Sequence, residues 1–150
     1  MKQTWLLEPV PGEVAREGSM ESLGKLILRF SIGGLMLFHG VYKLTHGFSM
    51  IGDLLVKNNL PRELMWGVPV GEVLAPILLI IGWKARPAAV VIAFTMAMSI
   101  YLVFRDGLFK LNEFGAFSYE MNLLYFFGAL AILFLGAGQY SISGGKGKLD

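Results

Sequence analysis

The sequence predicts an all-α membrane protein: a four-transmembrane-helix bundle with an additional interfacial helix in its first outer loop. Three observations carry this reading. Of 150 residues, 55% are hydrophobic and only 16% are charged, with 19 glycines outside the hydrophobic count. A soluble domain carries about 25% charge, so a polar surface around a core of this size would need more charge than the chain has. Four runs of mostly apolar residues follow one another, each near the ~20 residues that cross a ~30 Å hydrocarbon layer. In the second to fourth runs the apolar residues cover the whole helix circumference, unlike the single stripe of an amphipathic surface helix.

Taken in order, residues 1–21 read as a polar tail. They precede an apolar run too long for a signal-peptide core. Pro9 and Pro11 disfavour a continuous helix there, and Trp5, Leu6 and Leu7 offer contacts to a membrane surface or a neighbouring chain. The first span is placed at Ser22–Tyr42. The connection Leu44–Glu63 is long. Ser49 is positioned to cap a short helix, MIGDLLVKN, whose Ile51, Leu54 and Leu55 share one side and suit the outer interface. The second span, Leu64–Trp83, contains Pro69 and Pro76. Pro76 offers no N–H to the carbonyl of Glu72 four residues earlier, so a kink presents a carboxylate and a freed carbonyl at one level. The third span, Arg86–Phe104, follows a tight turn at Lys84-Ala85-Arg86-Pro87, with Pro87 suited to the first helical turn. Ala85, Ala89, Ala93 and Ala97 make a four-residue ridge for close helix packing, as do Gly33, Gly34 and Gly40 in the first span and Gly128, Ala129 and Ala131 in the last. The connection Arg105–Phe117 carries Phe109, Phe114 and Phe117 and reads as interfacial. The fourth span, Ser118–Ala137, runs into a GAGQ turn, and residues 138–150 read as a short flexible tail. The whole chain, 1–150, reads as one membrane domain made of tail, bundle at 22–137 and tail.

Four crossings put both ends on one side. That side collects Lys2, Arg16, Lys25, Lys84, Arg86, Lys146 and Lys148, against Lys43, Lys57, Arg62, Arg105 and Lys110 on the other. The bias places both termini in the cytoplasm.

Several chemistries are absent. The chain has no cysteine, which removes disulfides, thiol relays, zinc–thiolate sites and cysteine-held iron–sulfur clusters. No Lys/Arg run marks a nucleic-acid surface. His39 and His46 are seven apart and project the same way from one helix, so they cannot clamp one haem from opposite faces. No metal site and no covalently held cofactor is expected, and no residue is assigned as catalytic.

What stands out is a sparse set of ionisable groups inside apolar helices. A charge near the bilayer centre costs at least ~2.5–3.5 kcal/mol on insertion scales, so it persists only when paired or facing water. Counting ~1.5 Å per residue from the expected inner ends places Arg29 and Glu72 within about 6 Å of one level, which predicts an Arg29–Glu72 pair. His39 and Lys43 are i, i+4 neighbours near the other end of span one. Glu120 begins span four at a similar depth, which predicts a second cluster of Glu120 with Lys43 or His39. Arg29, Met36 and Lys43 recur every seven residues with Gly33 and Gly40 between them, so this face of span one looks into the bundle. Tyr101, Asn122 and Tyr125 are placed to extend the network.

These pieces resemble the DoxX family of small four-helix bacterial membrane proteins. The matching features are Arg29 with its following glycines, FHGVYKL at Phe38–Leu44, the Gly71-Glu72 step, IIGWKARPAA at Ile80–Ala89, Glu120 with its aromatic run, and LGAGQYSIS at Leu135–Ser143. The resemblance implies a bundle in the bacterial cytoplasmic membrane. The family takes its name from a subunit of an archaeal thiosulfate:quinone oxidoreductase, and other members are linked to redox-stress complexes with soluble partners. Carried onto this chain, it marks Arg29, His39, Lys43, Glu72 and Glu120. Two functions are therefore expected. In one, the chain is a membrane subunit of a quinone-linked oxidoreductase: a carboxylate exchanges protons, His39 or Tyr125 hydrogen-bonds a quinone with Tyr101 and Asn122 nearby, and electrons come from a partner. In the other it is a non-catalytic accessory or assembly subunit. Its partners would be lipid, other subunits of a membrane complex, or further copies of itself.

Overall fold

The computed structural model describes residues 11–147 and 149–150, with side chains from Gly18 onward. Trp5, Leu6, Leu7, Pro9 and Lys2 lie outside the described residues, as does Lys148. The fold is helical throughout. Among the described residues the only extended pairing is an isolated bridge between Leu111 and Phe117.

Helix α1 runs over Pro11–His46, 36 residues. It begins within the expected tail, because Pro11 sits at the first helical position, where a missing N–H removes no hydrogen bond. Helix α2 spans Ser49–Lys57, with Leu55 and Gly52 buried, and so occupies the long first connection as expected. Ser49 is its first residue and makes no capping hydrogen bond; the N-cap position is Phe48. The second apolar run is a composite helix, α3, over Arg62–Ile81. It opens as a 3-10 turn at Arg62–Trp66, passes through a short α segment, widens to a π-turn at Val70–Leu74, and returns to α geometry at Ala75–Ile81. The π-turn falls where Pro76 has no N–H for the Glu72 carbonyl, so the backbone opens by one residue instead of leaving a bare gap. Helix α4 covers Ala85–Phe104 and helix α5 covers Glu120–Leu135.

Three stretches are long and apolar enough to cross a bilayer: Gly18–His46, Arg62–Ile81 and Ala85–Gly107. Helix α5 is equally apolar but has 16 residues, fewer than the ~20 of a full crossing. Both ends of the expected fourth span are trimmed. Tyr119 turns into the preceding loop, where its hydroxyl donates to the Leu108 carbonyl and its ring packs on Phe117 and Phe104. At the other end Gly136 takes a positive φ of 76° and stops the helix.

Helices α4 and α5 form the broadest interface, and α1 lies across α3 and α5. Ala85, Ala88, Ala89, Ala93 and Ala129 line the contact with Ile92, Met96 and Ile132, while Ala97 ends the expected ridge by facing outward. The outward faces stay apolar, as Phe38, Phe94 and Phe134 show.

The segment after α5 is folded back on the bundle instead of forming a free tail. Ile142 N–H donates to the Ile81 carbonyl and the Ser143 hydroxyl donates to the Gly82 carbonyl, which serves the last turn of α3. The Asp150 carboxylate accepts from the Ala85 N–H, capping the start of α4.

Candidate functional site

The site is built where α1, the π-turn of α3, α4 and α5 meet, toward the end of the bundle at which α1 finishes. The extra residue of the π-turn turns Glu72 inward, and its side chain is 5% exposed. Gly40 of α1 lies directly against the Glu72 carbonyl, so close that a Cβ there would collide with it. One turn further along α1, Lys43 Nζ donates to Glu72 Oε1 at 2.5 Å. The other carboxylate oxygen, Oε2, is buried and has no hydrogen-bond partner among the described residues.

This ion pair forms part of the wall of a cavity of about 280 Å³. Helix α1 adds Met36 and His39 to the lining, one turn apart. Helix α4 adds Met96 and Ser99, and α5 adds Met121, Asn122 and Tyr125. The Asn122 side-chain amide donates to Ser99 Oγ at 3.1 Å and lies 3.8 Å from Met96 Sδ, so its N–H groups are occupied within the wall. Tyr125 is buried, and its ring meets the His39 imidazole edge-on at 6.1 Å. Further toward the opposite end α1 and α5 close up, with Ile32 packed against Gly128.

Arg29 is buried at that opposite end, well away from Glu72, and the expected Arg29–Glu72 pair is not formed. Along the α1–α3 contact Gly40 faces Glu72, Gly33 faces Pro76 and Ile80, and Arg29 faces Gly82. Ten residues separate Glu72 from Gly82, about 15 Å of helix, beyond the reach of an arginine. The pair is missed from sequence because α1 starts at Pro11, so the length of its apolar run does not mark a membrane level shared with α3. Instead, Arg29 Nη2 donates to the Tyr140 carbonyl at 2.5 Å, while Nε and Nη1 have no partner among the described residues. Gly82 has a φ of 70°, and a side chain there would strike the guanidinium, so the turn needs glycine for both its backbone and its space.

Glu120 does not join His39 or Lys43. It is exposed at the first position of α5 and forms no ion pair among the described residues. It shares its helix face with Leu124 and Phe127, which point outward. Its charge suits the positive end of the α5 dipole. Tyr101 is also exposed, with its hydroxyl accepting from Arg105 Nη1 on the outside of α4. His39, Lys43, Glu72, Asn122 and Tyr125 do converge on the cavity. Ser99 and the thioethers of Met96 and Met121 were not expected there; Ser99, a hydroxyl in an apolar run one turn from Met96, was the available signal.

Residues 24–105 match the profile of the DoxX family, more than half of the chain. The chain belongs to the DoxX family. No curated protein and no solved structure matches it. The matched stretch of this DoxX protein runs from α1 to just past α4, and so contains Arg29, His39, Lys43, Glu72, Met96 and Ser99. Asn122 and Tyr125, on α5, complete the cavity from outside that stretch. With its three long apolar helices, this is a DoxX-family membrane protein.

Proposed function

We propose that this DoxX protein is an integral subunit of a quinone-linked oxidoreductase complex in the bacterial cytoplasmic membrane, and that its cavity takes a quinone headgroup. The observation that carries the reading is Glu72, whose buried Oε2 has no partner among the described residues, on the wall of a cavity it shares with His39, Ser99, Asn122 and Tyr125. The volume of about 280 Å³ lies just below the ~300–1,000 Å³ of sites for drug-sized ligands and suits one ring with its tail outside.

When bound, a quinone supplies two-electron, two-proton chemistry. The chain supplies the proton handling and the positioning. Lys43 holds Oε1 of Glu72, which leaves Oε2 to take up or release a proton at the cavity wall. The His39 imidazole and the Tyr125 phenol, which also line the cavity, supply hydrogen bonds to a ring oxygen. Electrons come from a partner subunit: the chain has no cysteine, and among the described residues no three histidine or acidic side chains converge. In this reading α5 is the fourth membrane crossing, α2 lies in the outer interface, and the Lys84–Arg86 side of the bundle, with both termini, faces the cytoplasm.

A second reading, a non-catalytic accessory or assembly subunit, is favoured by the exposed loop between α4 and α5, whose Phe109 and Phe114 are 91% and 85% exposed. That loop offers a docking edge to another subunit. The test is recovery of the complex from native membrane in mild detergent, followed by a quinone-dependent turnover assay. Glu72→Gln is expected to lower turnover by about 10²-fold or more, the usual size of a lost general acid–base group, at unchanged protein level. Unchanged turnover leaves the accessory role as the function.

A further inference from the structure

Resting on the quinone-site reading, we infer that the cavity is built to hold the reduced, hydroxyl-bearing form of its ligand, a hydroquinone or related phenol, in preference to the quinone. The polar inventory of the wall decides this. Asn122 already spends its amide hydrogens on Ser99 and Met96. Lys43 spends one of its three ammonium hydrogens on Oε1, and Ser99, which accepts from Asn122, keeps its own hydroxyl hydrogen. The buried group left without a partner among the described residues is Glu72 Oε2, and an ionised carboxylate oxygen only accepts. A quinone carbonyl also only accepts, so placing one against Oε2 sets two acceptors face to face in a desolvated site. A phenolic O–H donates and makes a charge-assisted bond of the strong class. His39 and Tyr125, both able to donate or accept, also line the cavity and do not discriminate between the two forms.

A matched pair of ligands tests this without any redox change. A 4-decyloxyphenol and its O-methyl ether differ by one donor and cannot interconvert. Binding of each is measured by equilibrium dialysis against the full-length protein in lipid nanodiscs, and decyl-ubiquinol and decyl-ubiquinone are compared anaerobically in the same way. The hydroxyl-bearing member is expected to bind at least about tenfold more tightly in both pairs, the size expected of a hydrogen bond to a charged group. Glu72→Gln sharpens the comparison. Lys43 keeps the amide oxygen on its own side, so the NH₂ faces the cavity and presents donors. The preference is then expected to vanish for the phenol and to turn toward decyl-ubiquinone. Equal binding of the two forms by the unmodified protein, or tighter binding of the quinone, overturns this inference and leaves the site reading intact. Failure of all four ligands to bind overturns both. The comparison on the unmodified protein stands even if the Gln variant fails to fold.

Discussion

Lys43 and Glu72 are unequal partners: the carboxylate is 5% exposed and the ammonium 34%. The lysine keeps a third of its side chain exposed while the carboxylate is almost wholly covered, so the desolvation cost falls mainly on Glu72. Removing the lysine strands a buried negative charge. Lys43→Met is expected to destabilise the protein by roughly 3 kcal/mol, the lower end for one half of a buried pair because the lysine is partly wet. Lys43→Met combined with Glu72→Met is expected to recover most of that loss. Equilibrium unfolding in mixed micelles reads both values, and a double variant no more stable than the single one would show that the charge pair is not the source. The pair was half visible in the sequence. Lys43 and Glu72 both stand out in the sequence as charges within or near apolar spans, but their pairing depends on a helix register that no side chain announces.

At the scale of the element, α3 brings Glu72 to the cavity because it is irregular. An unbroken α-helix from Gly67 to Ile81 would advance Glu72 by the regular 100° step relative to Pro76 and the residues beyond. The π-turn at Val70–Leu74 adds a residue to the turn and re-aims the carboxylate at α1. Pro76→Ala restores the missing N–H and is expected to let this turn tighten, which rotates Glu72 away from Lys43. The signature is a double-mutant cycle: in the Pro76→Ala background the Lys43→Met penalty should fall toward zero. A penalty of full size there would mean that the proline does not place Glu72. The kink was legible from Pro76 and its spacing to Glu72. Its resolution as a π-turn, pressed against Gly40, was not, because it depends on how closely α1 approaches.

For the whole molecule, the two ends of the bundle differ in kind. At one end lies the cavity with its charge pair. At the other the post-α5 segment clasps the helix ends through Ile142, Ser143 and Asp150 and supplies the Tyr140 carbonyl to Arg29. The absence of native cysteine makes single-cysteine reporters clean. Lys110→Cys, in the α4–α5 loop, is expected to react with a membrane-impermeant maleimide on intact cells, and Lys146→Cys only after permeabilisation. The reverse pattern would invert the proposed orientation and move the cavity to the cytoplasmic side.

Composition and periodicity by themselves determined the membrane class, the helical content, the inward face of α1 through Arg29, Met36 and Lys43, and five of the side chains that line the cavity, His39, Lys43, Glu72, Asn122 and Tyr125, while Ser99, Met96 and Met121 came only with the structure. These depend on local properties: apolar run length, the energy of a charge in hydrocarbon, and the missing N–H of proline. Which charges meet was decided only by tertiary structure. Arg29 went to a backbone carbonyl, Lys43 took Glu72, and Glu120 stayed outside. Pairing between helices depends on their axial offset, which is set by glycine contacts at Gly33, Gly40 and Gly82 summed over the whole interface. A slip of two or three turns leaves every local pattern in the sequence unchanged while exchanging every partner.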